Sequence, residues 1–493
     1  MIMTNHALKP ETKAFLEKDH GHFIDGAWSP GGGERIDVFN PATGSVIATT
    51  AAGGADDVDK AVKSARRAFA RSDWAGMMPS VRAKLLWRIA DLIEQNGAQL
   101  AELEFLNNGK ARDIVAQRDV PGAADVFRYF AGWATKIYGK TASLSRPTLH
   151  AYTLKEPVGV AGLIIPWNFP LLMAAWKLAP ALAAGCSCIL KPAEETPLTA
   201  LRLVELISEA GIPPGIVNLV TGYGHIAGAA LAAHDGVDKL AFTGSTEVGK
   251  LIVRAAAGNL KKLSLELGGK SPTIILPDAD IGAAKAAAAG SIFFNAGQVC
   301  AAGSRLFVHR SIFEEVVGAV AQRAKTIRVG AGDEPETEMG PLISKKHLER
   351  VDGYVRGGIG QGAEVLAGGG RIDREGYFFK PTVLTGTAPH MQVVREEIFG
   401  PVLVSDSFDD LDEVAAKAND SIFGLSASIW TQNVKAAHTL ARKLQAGSIL
   451  VNAGGGLDPN LPFGGYKQSG WGREFGEDGL ELYLQTKSVV IGG

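Results

Sequence analysis

The chain has 493 residues, 46% of them hydrophobic and 21% charged, the balance of a large globular protein with more than one core, which excludes a disordered or fibrous chain. Lys and Arg number 50 against 52 Asp and Glu, a net charge of −2; this offers no broad field to gather nucleic acid or anionic lipid, so neither is expected as a partner. The three cysteines, Cys186, Cys188 and Cys300, cannot make a disulfide framework, and no apolar run follows the mixed charges of the opening residues, so a cytoplasmic protein without a signal peptide is expected.

From Asp56, the residues Val58, Ala61, Val62, Ala65, Ala68 and Phe69 recur at three- and four-residue spacing, the mark of a helix with one buried stripe. Leu85, Ile89, Leu92 and Ile93 repeat the pattern, and a further helix carrying Leu103 and Leu106 is expected to stop at Gly109. The N-terminal third therefore reads as largely helical. At Val158 the pattern changes to VGVAGLII, ended by Pro166, as expected of a strand buried on both faces of a parallel sheet. The stretch from Leu171 to Leu190 is the most membrane-like, but Lys177, Pro180 and Gly185 interrupt it. It reads as a buried helix running into a strand at Cys188 to Leu190, and no membrane span is expected.

Thr196 is placed as the cap of the following helix, with Pro197 at its first position and Gly211 just past its end. Val217 to Val220 and Lys239 to Phe242 supply further strands, each followed by glycine and a helix, which gives a doubly wound α/β sheet. After Leu267-Gly268-Gly269, the strand Thr273 to Leu276 opens a second alternation of strands and helices that continues past Phe399, so a domain boundary is expected near Gly268. No repeat with a period of 20 to 50 residues occurs.

Several segments carry residue types suited to chemistry. Phe293-Phe294-Asn295-Ala296-Gly297-Gln298-Val299-Cys300 ends on a thiol, a better nucleophile near neutral pH than any hydroxyl, although a lone cysteine also reads as a small buried hydrophobe. Glu266 lies at the end of the apolar strand in Leu263-Ser264-Leu265-Glu266, where desolvation raises a carboxylate toward the range of a general base; a carboxylate capping the adjacent loop is the alternative. Pro166-Trp167-Asn168-Phe169-Pro170 fixes an amide between two prolines at the carboxyl end of the sheet, placed to donate to an oxyanion.

Lys191 and Glu194 follow the second strand, where an acid takes ribose hydroxyls and a lysine reaches a phosphate, unless both are solvated surface charges. Phe242-Thr243-Gly244-Ser245-Thr246-Glu247-Val248-Gly249 is a strand end, a glycine turn and a helix start, able to hold a pyrophosphate without being a G-x-G-x-x-G. The histidines show no H-x-x-x-H or H-E-x-x-H, and Cys186-x-Cys188 lies in apolar surroundings without a partner pair, so no metal site is expected. Neither a P-loop nor a G-x-S-x-G elbow is present.

Taken together with Glu396-Glu397-Ile398-Phe399-Gly400-Pro401 and Pro462-Phe463-Gly464-Gly465, these segments resemble the aldehyde dehydrogenase superfamily in order and spacing over essentially the whole chain. The resemblance implies a dinucleotide-binding domain at 1–134 and 154–267, a second α/β catalytic domain at 268–470, and a small β flap from 135–153 and 471–493 that joins subunits of a homo-oligomer. It implies Cys300 as nucleophile, Glu266 as the base for the hydrolytic water, and Asn168 with the Cys300 N–H as the oxyanion hole. Lys177 and Glu474 match positions that pass a proton from Glu266 to solvent.

For the cofactor it implies Ile164, Pro166, Trp167, Lys191, Glu194, Gly244, Ser245, Leu267, Glu397 and Phe399. NAD is expected over NADP, because Glu194 accepts from a 2′-hydroxyl and repels a 2′-phosphate. The substrate path implied is lined by Phe169, Leu172, Met173, Trp176, Phe294, Leu457 and Phe463, which favours an uncharged aldehyde over a charged semialdehyde. The glycine-rich loop from Asn452 to Leu457 lacks the aromatic cage that betaine aldehyde needs. Leu457-Asp458-Pro459 and Gly470-Trp471-Gly472-Arg473-Glu474 are similar to members acting on phenylacetaldehyde-like substrates. Glu266 argues against a coenzyme A-acylating relative, and the three residues Cys300, Glu266 and Asn168 argue against a catalytically silent one.

Overall fold

The computed structural model describes residues 8–146, 148–455 and 458–492. Two largely parallel sheets organise them. The first runs, edge to edge, through Ala27–Ser29, His22–Ile24, Val217–Leu219, Ser187–Lys191, Val160–Ile164, Lys239–Thr243, Lys262–Glu266 and Gly470–Trp471. Its five inner strands are parallel, and the two on one edge and the one on the other are antiparallel. Every residue of Val160–Ile164 and Ser187–Lys191 is buried. Along these strands Ala161, Leu163 and Leu190 enter one core while Val160, Ile164 and Ile189 enter another, so both faces are covered.

The parallel part of this sheet starts at Val160–Ile164, moves outward to Val217–Leu219, and then returns to the other side of Val160–Ile164 at Lys239–Thr243. That reversal leaves a crevice at the carboxyl ends of Val160–Ile164 and Lys239–Thr243, the place where open α/β sheets receive ligands. Between Glu266 and Pro272 the chain passes to the second sheet, ordered Glu364–Ala367, Thr382–Thr385, Val402–Phe408, Arg305–His309, Pro272–Ile275, Ser426–Trp430 and Ser448–Val451. Only Glu364–Ala367 runs antiparallel there.

Most expected elements are present. Helices cover Ala55–Ala70, Pro79–Gln95 and Gly97–Asn108, the last ended by Gly109 in the left-handed region at φ +86°. Leu171 to Leu190 is the buried helix Pro170–Ala184 running into a strand, and among the described residues no helix is long and apolar enough to cross a membrane. Two expectations need correction. The helix after the second strand is Leu198–Glu209; Pro197 occupies its cap position and the Thr196 hydroxyl has no partner. Instead the Leu198 N–H donates to Asn107 Oδ1 at 3.2 Å, so a distant helix end supplies the acceptor that a local cap would give.

The N-terminal part is also less helical than its periodicity suggests, because four short strands precede Asp56. Their partners are remote or local by turn: Phe23 pairs with Leu219, and Arg35–Phe39 pairs with Val46–Ala51. The last strand, Leu484–Gly492, pairs along its length with Leu149–Pro157, which has Thr141–Ala142 on its other side. No strand among the described residues pairs with its outer edge, and Val490 and Ile491 are exposed.

Candidate active site

The helix Ile281–Phe293 ends in an unusual turn. Asn295, Ala296 and Gly297 are all left-handed, at φ 49°, 53° and 71°. A non-glycine residue so placed costs on the order of 1–3 kcal/mol and persists only where its surroundings impose it. They do here. Asn295 Nδ2 donates to the carbonyls of Asn168 at 3.1 Å and Gln298 at 3.4 Å, and Asn168 Nδ2 donates to the Gln298 carbonyl at 2.9 Å. Gln298 returns Nε2 to the Asn295 carbonyl at 3.1 Å and accepts from the Ile343 N–H at 2.9 Å. Gly297 is required as glycine, since a Cβ there would stand 2.1 Å from the Gly400 carbonyl oxygen. The loop bearing Cys300 and the loop bearing Asn168 are thereby locked together.

Asn168 has support from the other side. Asn108 Nδ2 donates to the Trp167 carbonyl at 2.7 Å and the Asn168 carbonyl at 3.4 Å, and Glu104 accepts from the Leu171 N–H at 3.2 Å. Asn108, Asn295 and Glu104 carry no sequence motif of their own. Their work is to hold carbonyls and an N–H that meet them only after folding, although the adjacency of Asn107, Asn108 and Gly109 was a signal beyond the helix stop it was read as.

Glu266 leaves the strand Lys262–Glu266 buried, with neither carboxylate oxygen hydrogen-bonded. Burial, aided by the Glu474 carboxylate, raises its pKa well above the usual range, while Lys177 and Arg473 oppose the rise. The segment after it threads a narrow gap. A Cβ on Gly268 would lie 2.2 Å from Glu397 Oε2, and one on Gly269 would lie 2.3 Å from the Cys300 carbonyl oxygen. The Gly269 N–H donates to Glu397 Oε1 at 2.9 Å, and burial lifts Glu397 to about 7. Desolvation pushes the Cys300 thiol up to about 12, with Glu397 and Glu266 adding to the rise. Lys177 and Glu474 form a buried ion pair, and Phe463 and Glu474 exchange backbone hydrogen bonds of 2.7 Å, which brings Pro462-Phe463-Gly464-Gly465 to Glu266. A Cβ on Gly464 would meet Glu266 Oε1 at 2.7 Å.

The crevice of the first sheet gathers the other set. Lys191, buried, donates to the Pro192 carbonyl at 2.9 Å and to Glu194 Oε2 at 3.3 Å, while Glu194 Oε1 accepts from the Gly224 N–H at 3.3 Å. Burial lowers the Lys191 pKa, with Glu194 opposing. Ser245 caps the helix Thr246–Ala255 by accepting from the Val248 N–H at 3.3 Å, and the Gly244 N–H is held by the Glu266 carbonyl at 3.0 Å. Ile164 and Leu267 are buried in the same core beneath that helix, and Pro166 opens the loop after the first strand. Trp167 meets Phe399 edge-on at 5.2 Å, and Phe399 is itself left-handed at φ 59°. A helix N-terminus, a buried lysine beside an acid, and a second acid across the crevice fit a ribose-linked pyrophosphate.

The apolar set also converges. Phe169 and Phe294 stack at 6.2 Å and 28°, and Trp176 meets Phe463 at 5.9 Å. Met173 is buried in the same core, against which Leu172, Phe294 and Cys300 pack. Leu457 lies outside the described residues.

The model of the aldehyde dehydrogenase family matches residues 28–489. Among curated proteins the chain is 49% identical to a putative aldehyde dehydrogenase, DhaS, of Bacillus subtilis over 480 residues, covering 97% of each. It is 49% identical to a phenylacetaldehyde dehydrogenase of Pseudomonas fluorescens over 484 residues, covering 97% of this chain and 96% of the relative. Among solved structures, the NAD+ complex of an aldehyde dehydrogenase from Bacillus cereus superposes with a TM-score of 0.98 at 49% identity, covering 99% of this chain and all of that one. With its two-sheet architecture, its thiol and buried carboxylate, and its crevice in the family's order, the chain belongs to the aldehyde dehydrogenase family.

Proposed function

We propose that the protein is an NAD-dependent aldehyde dehydrogenase that oxidises an uncharged aldehyde, aromatic or of medium chain length, to its carboxylic acid by way of a cysteinyl thioester. The observation that carries this reading is the interlock of the Cys300 loop with the Asn168 loop, beside a buried carboxylate with unpartnered oxygens. The Cys300 thiol loses its proton to solvent before its sulfur attacks the aldehyde carbon, which leaves Glu266, with its raised proton affinity, free as the base for the later hydrolytic step. The oxyanion of the thiohemiacetal is received by the Asn168 side-chain amide and the Cys300 N–H, held in place before reaction. Lys191, Glu194, Ser245, Trp167, Glu397 and Phe399 would hold the dinucleotide in the crevice of the first sheet, where it would supply the hydride acceptor. Glu266 then deprotonates the water that cleaves the thioester, and the Lys177–Glu474 pair carries that proton away.

Cys300→Ser is expected to lower NADH formation from an aldehyde panel by at least a thousandfold with NAD binding retained; full turnover in that variant overturns the reading. Glu266→Gln is expected to slow hydrolysis of the thioester about a hundredfold or more, so that a burst of NADH precedes a slow steady state. Product formation without coenzyme A separates hydrolysis from acyl transfer to a thiol. Glu194 sets the cofactor, and kcat/KM for NAD is expected to exceed that for NADP; equality or the reverse order overturns this part.

The substrate reading is supported by the apolar walls Phe169, Leu172, Met173, Trp176, Phe294 and Phe463 and by the phenylacetaldehyde dehydrogenase relative. A panel in which acetaldehyde or succinic semialdehyde beats every aryl aldehyde in kcat/KM rejects it. The reading further takes 1–134 and 154–267 as the dinucleotide-binding domain, 268–470 as the catalytic domain, and 135–153 with 471–493 as the flap. Subunits associate through the open edge of Leu484–Gly492, and the enzyme works in the cytoplasm.

A further inference from the structure

The stacked rings Phe169 and Phe294 each carry a cation on a face. Lys110 Nζ lies 4.1 Å from the Phe169 ring centroid, and the Arg118 guanidinium carbon lies 5.4 Å from that of Phe294. The two cations differ in what surrounds them. Lys110 is buried and ion-paired to Asp119 and, at 3.5 Å, to Glu104, so its charge is answered locally. Arg118 is exposed, and among the described residues it has no carboxylate or hydrogen-bond partner; its contact is the Phe294 ring. It stands on the π-helical turn Val115–Asp119, which turns Asp119 inward to Lys110 and Arg118 outward.

Exposure grows along this row, from buried Phe169 through half-buried Phe294 to exposed Arg118, so the row runs to solvent from the core against which Cys300 also packs. We propose that Arg118 is a specificity-determining residue, an unanswered positive charge at the outer end of the aromatic pair that disfavours cationic aldehydes and, among uncharged ones, favours those with a strong acceptor remote from the carbonyl, an anionic analogue reporting the same field. The inference rests on the reading that Phe169 and Phe294 wall the path of the aldehyde. A guanidinium on an aromatic face satisfies that ring's attraction for cations, so a quaternary ammonium arriving at Phe294 finds the position taken and meets a like charge. A partly exposed charge some 10 Å away changes affinity by about three- to tenfold, an effect that salt diminishes.

The test compares kcat/KM for betaine aldehyde with that for 3,3-dimethylbutanal, which have one shape and differ by one charge. A second pair is 4-formylphenylacetate and its amide. Arg118→Gln is expected to raise the cation-to-neutral ratio and lower the anion-to-neutral ratio about three- to tenfold at low salt. Arg118→Glu moves both ratios further in the same directions, Arg118→Lys holds them near the parent values, and 0.5 M salt shrinks every difference. Ratios unmoved by both the Gln and the Glu variants overturn the inference while leaving aldehyde oxidation standing. Ratios moved equally by Arg118→Lys and Arg118→Gln assign the effect to shape and overturn it as well. Absence of turnover of 3,3-dimethylbutanal and every aryl aldehyde by the unaltered enzyme sinks the functional reading and this inference with it.

Discussion

Cys300 and its carboxylates set the protonation chemistry of the site. With the thiol pushed up to about 12, the thiolate fraction rises tenfold per pH unit across the neutral range. Alkylation of the cofactor-free enzyme by iodoacetamide, followed by mass spectrometry at Cys300, is therefore expected to quicken about tenfold per unit from pH 7 to 9. A plateau below pH 8 contradicts that account. Glu397 offers a stability test. Its folded pKa of about 7 lies above the unfolded carboxylate value, so the folded state holds the extra proton. Its contribution is complete at low pH and is lost as pH rises through 7. Glu397→Gln, which cannot ionise, is expected to gain Tm relative to the parent between pH 5.5 and 8, and a difference that does not change with pH rejects the assignment.

Cys300, Glu266 and Asn168 stood out in the sequence as a thiol, an acid at a strand end and an amide between prolines, but each had a structural alternative, and only the family resemblance joined the three into one proposed site. Asn108, Asn295 and Glu104 did not stand out, since each serves a backbone group brought to it by another element.

At the scale of elements, the turn before Cys300 is the most exacting piece. Gly297→Ala adds a Cβ in a left-handed residue 2.1 Å from a carbonyl oxygen, and Gly269→Ala adds one 2.3 Å from the carbonyl of Cys300 itself. Both backbones must shift, and kcat is expected to fall more than a hundredfold in each. Asn295→Ala keeps the space but loses the bonds to the Asn168 and Gln298 carbonyls. A drop in kcat of about tenfold with little change in the dissociation constant for NAD is expected, and unchanged kcat shows that the interlock does not position Asn168.

The inner strands were readable because both their faces are covered, which makes them continuous apolar runs. The cap of Leu198–Glu209 and the docking of His22–Ile24 on the first sheet were not, for their partners, Asn107 and Leu219, lie far along the chain.

For the whole molecule, the division into two strand-and-helix alternations was visible in the pattern on either side of Gly268, because each alternation buries its own sheet. How they are bound to each other was not, since it depends on long-range contacts such as those of Asn295 and Gln298 with Asn168 and on the late excursion of Gly470–Trp471 back to the first sheet. The terminal sheet bears on assembly. Val490 and Ile491 stand exposed on the last strand, whose outer edge is open. Val490→Lys with Ile491→Lys is expected to lower the mass measured by light scattering, and an unaltered mass places the subunit contact elsewhere.

That late excursion also bears on biosynthesis. Gly470 and Trp471 supply the only neighbour on the outer side of Leu265 and Glu266 among the described residues, and the same stretch brings Glu474 to Lys177. While the ribosome is still making the second alternation, the edge at Leu265 and Glu266 stays bare and available to any other strand. Chains released before residue 470 should therefore aggregate through this edge, whereas adding the last 24 of the 493 residues both seals it and forms the Lys177–Glu474 pair in one step.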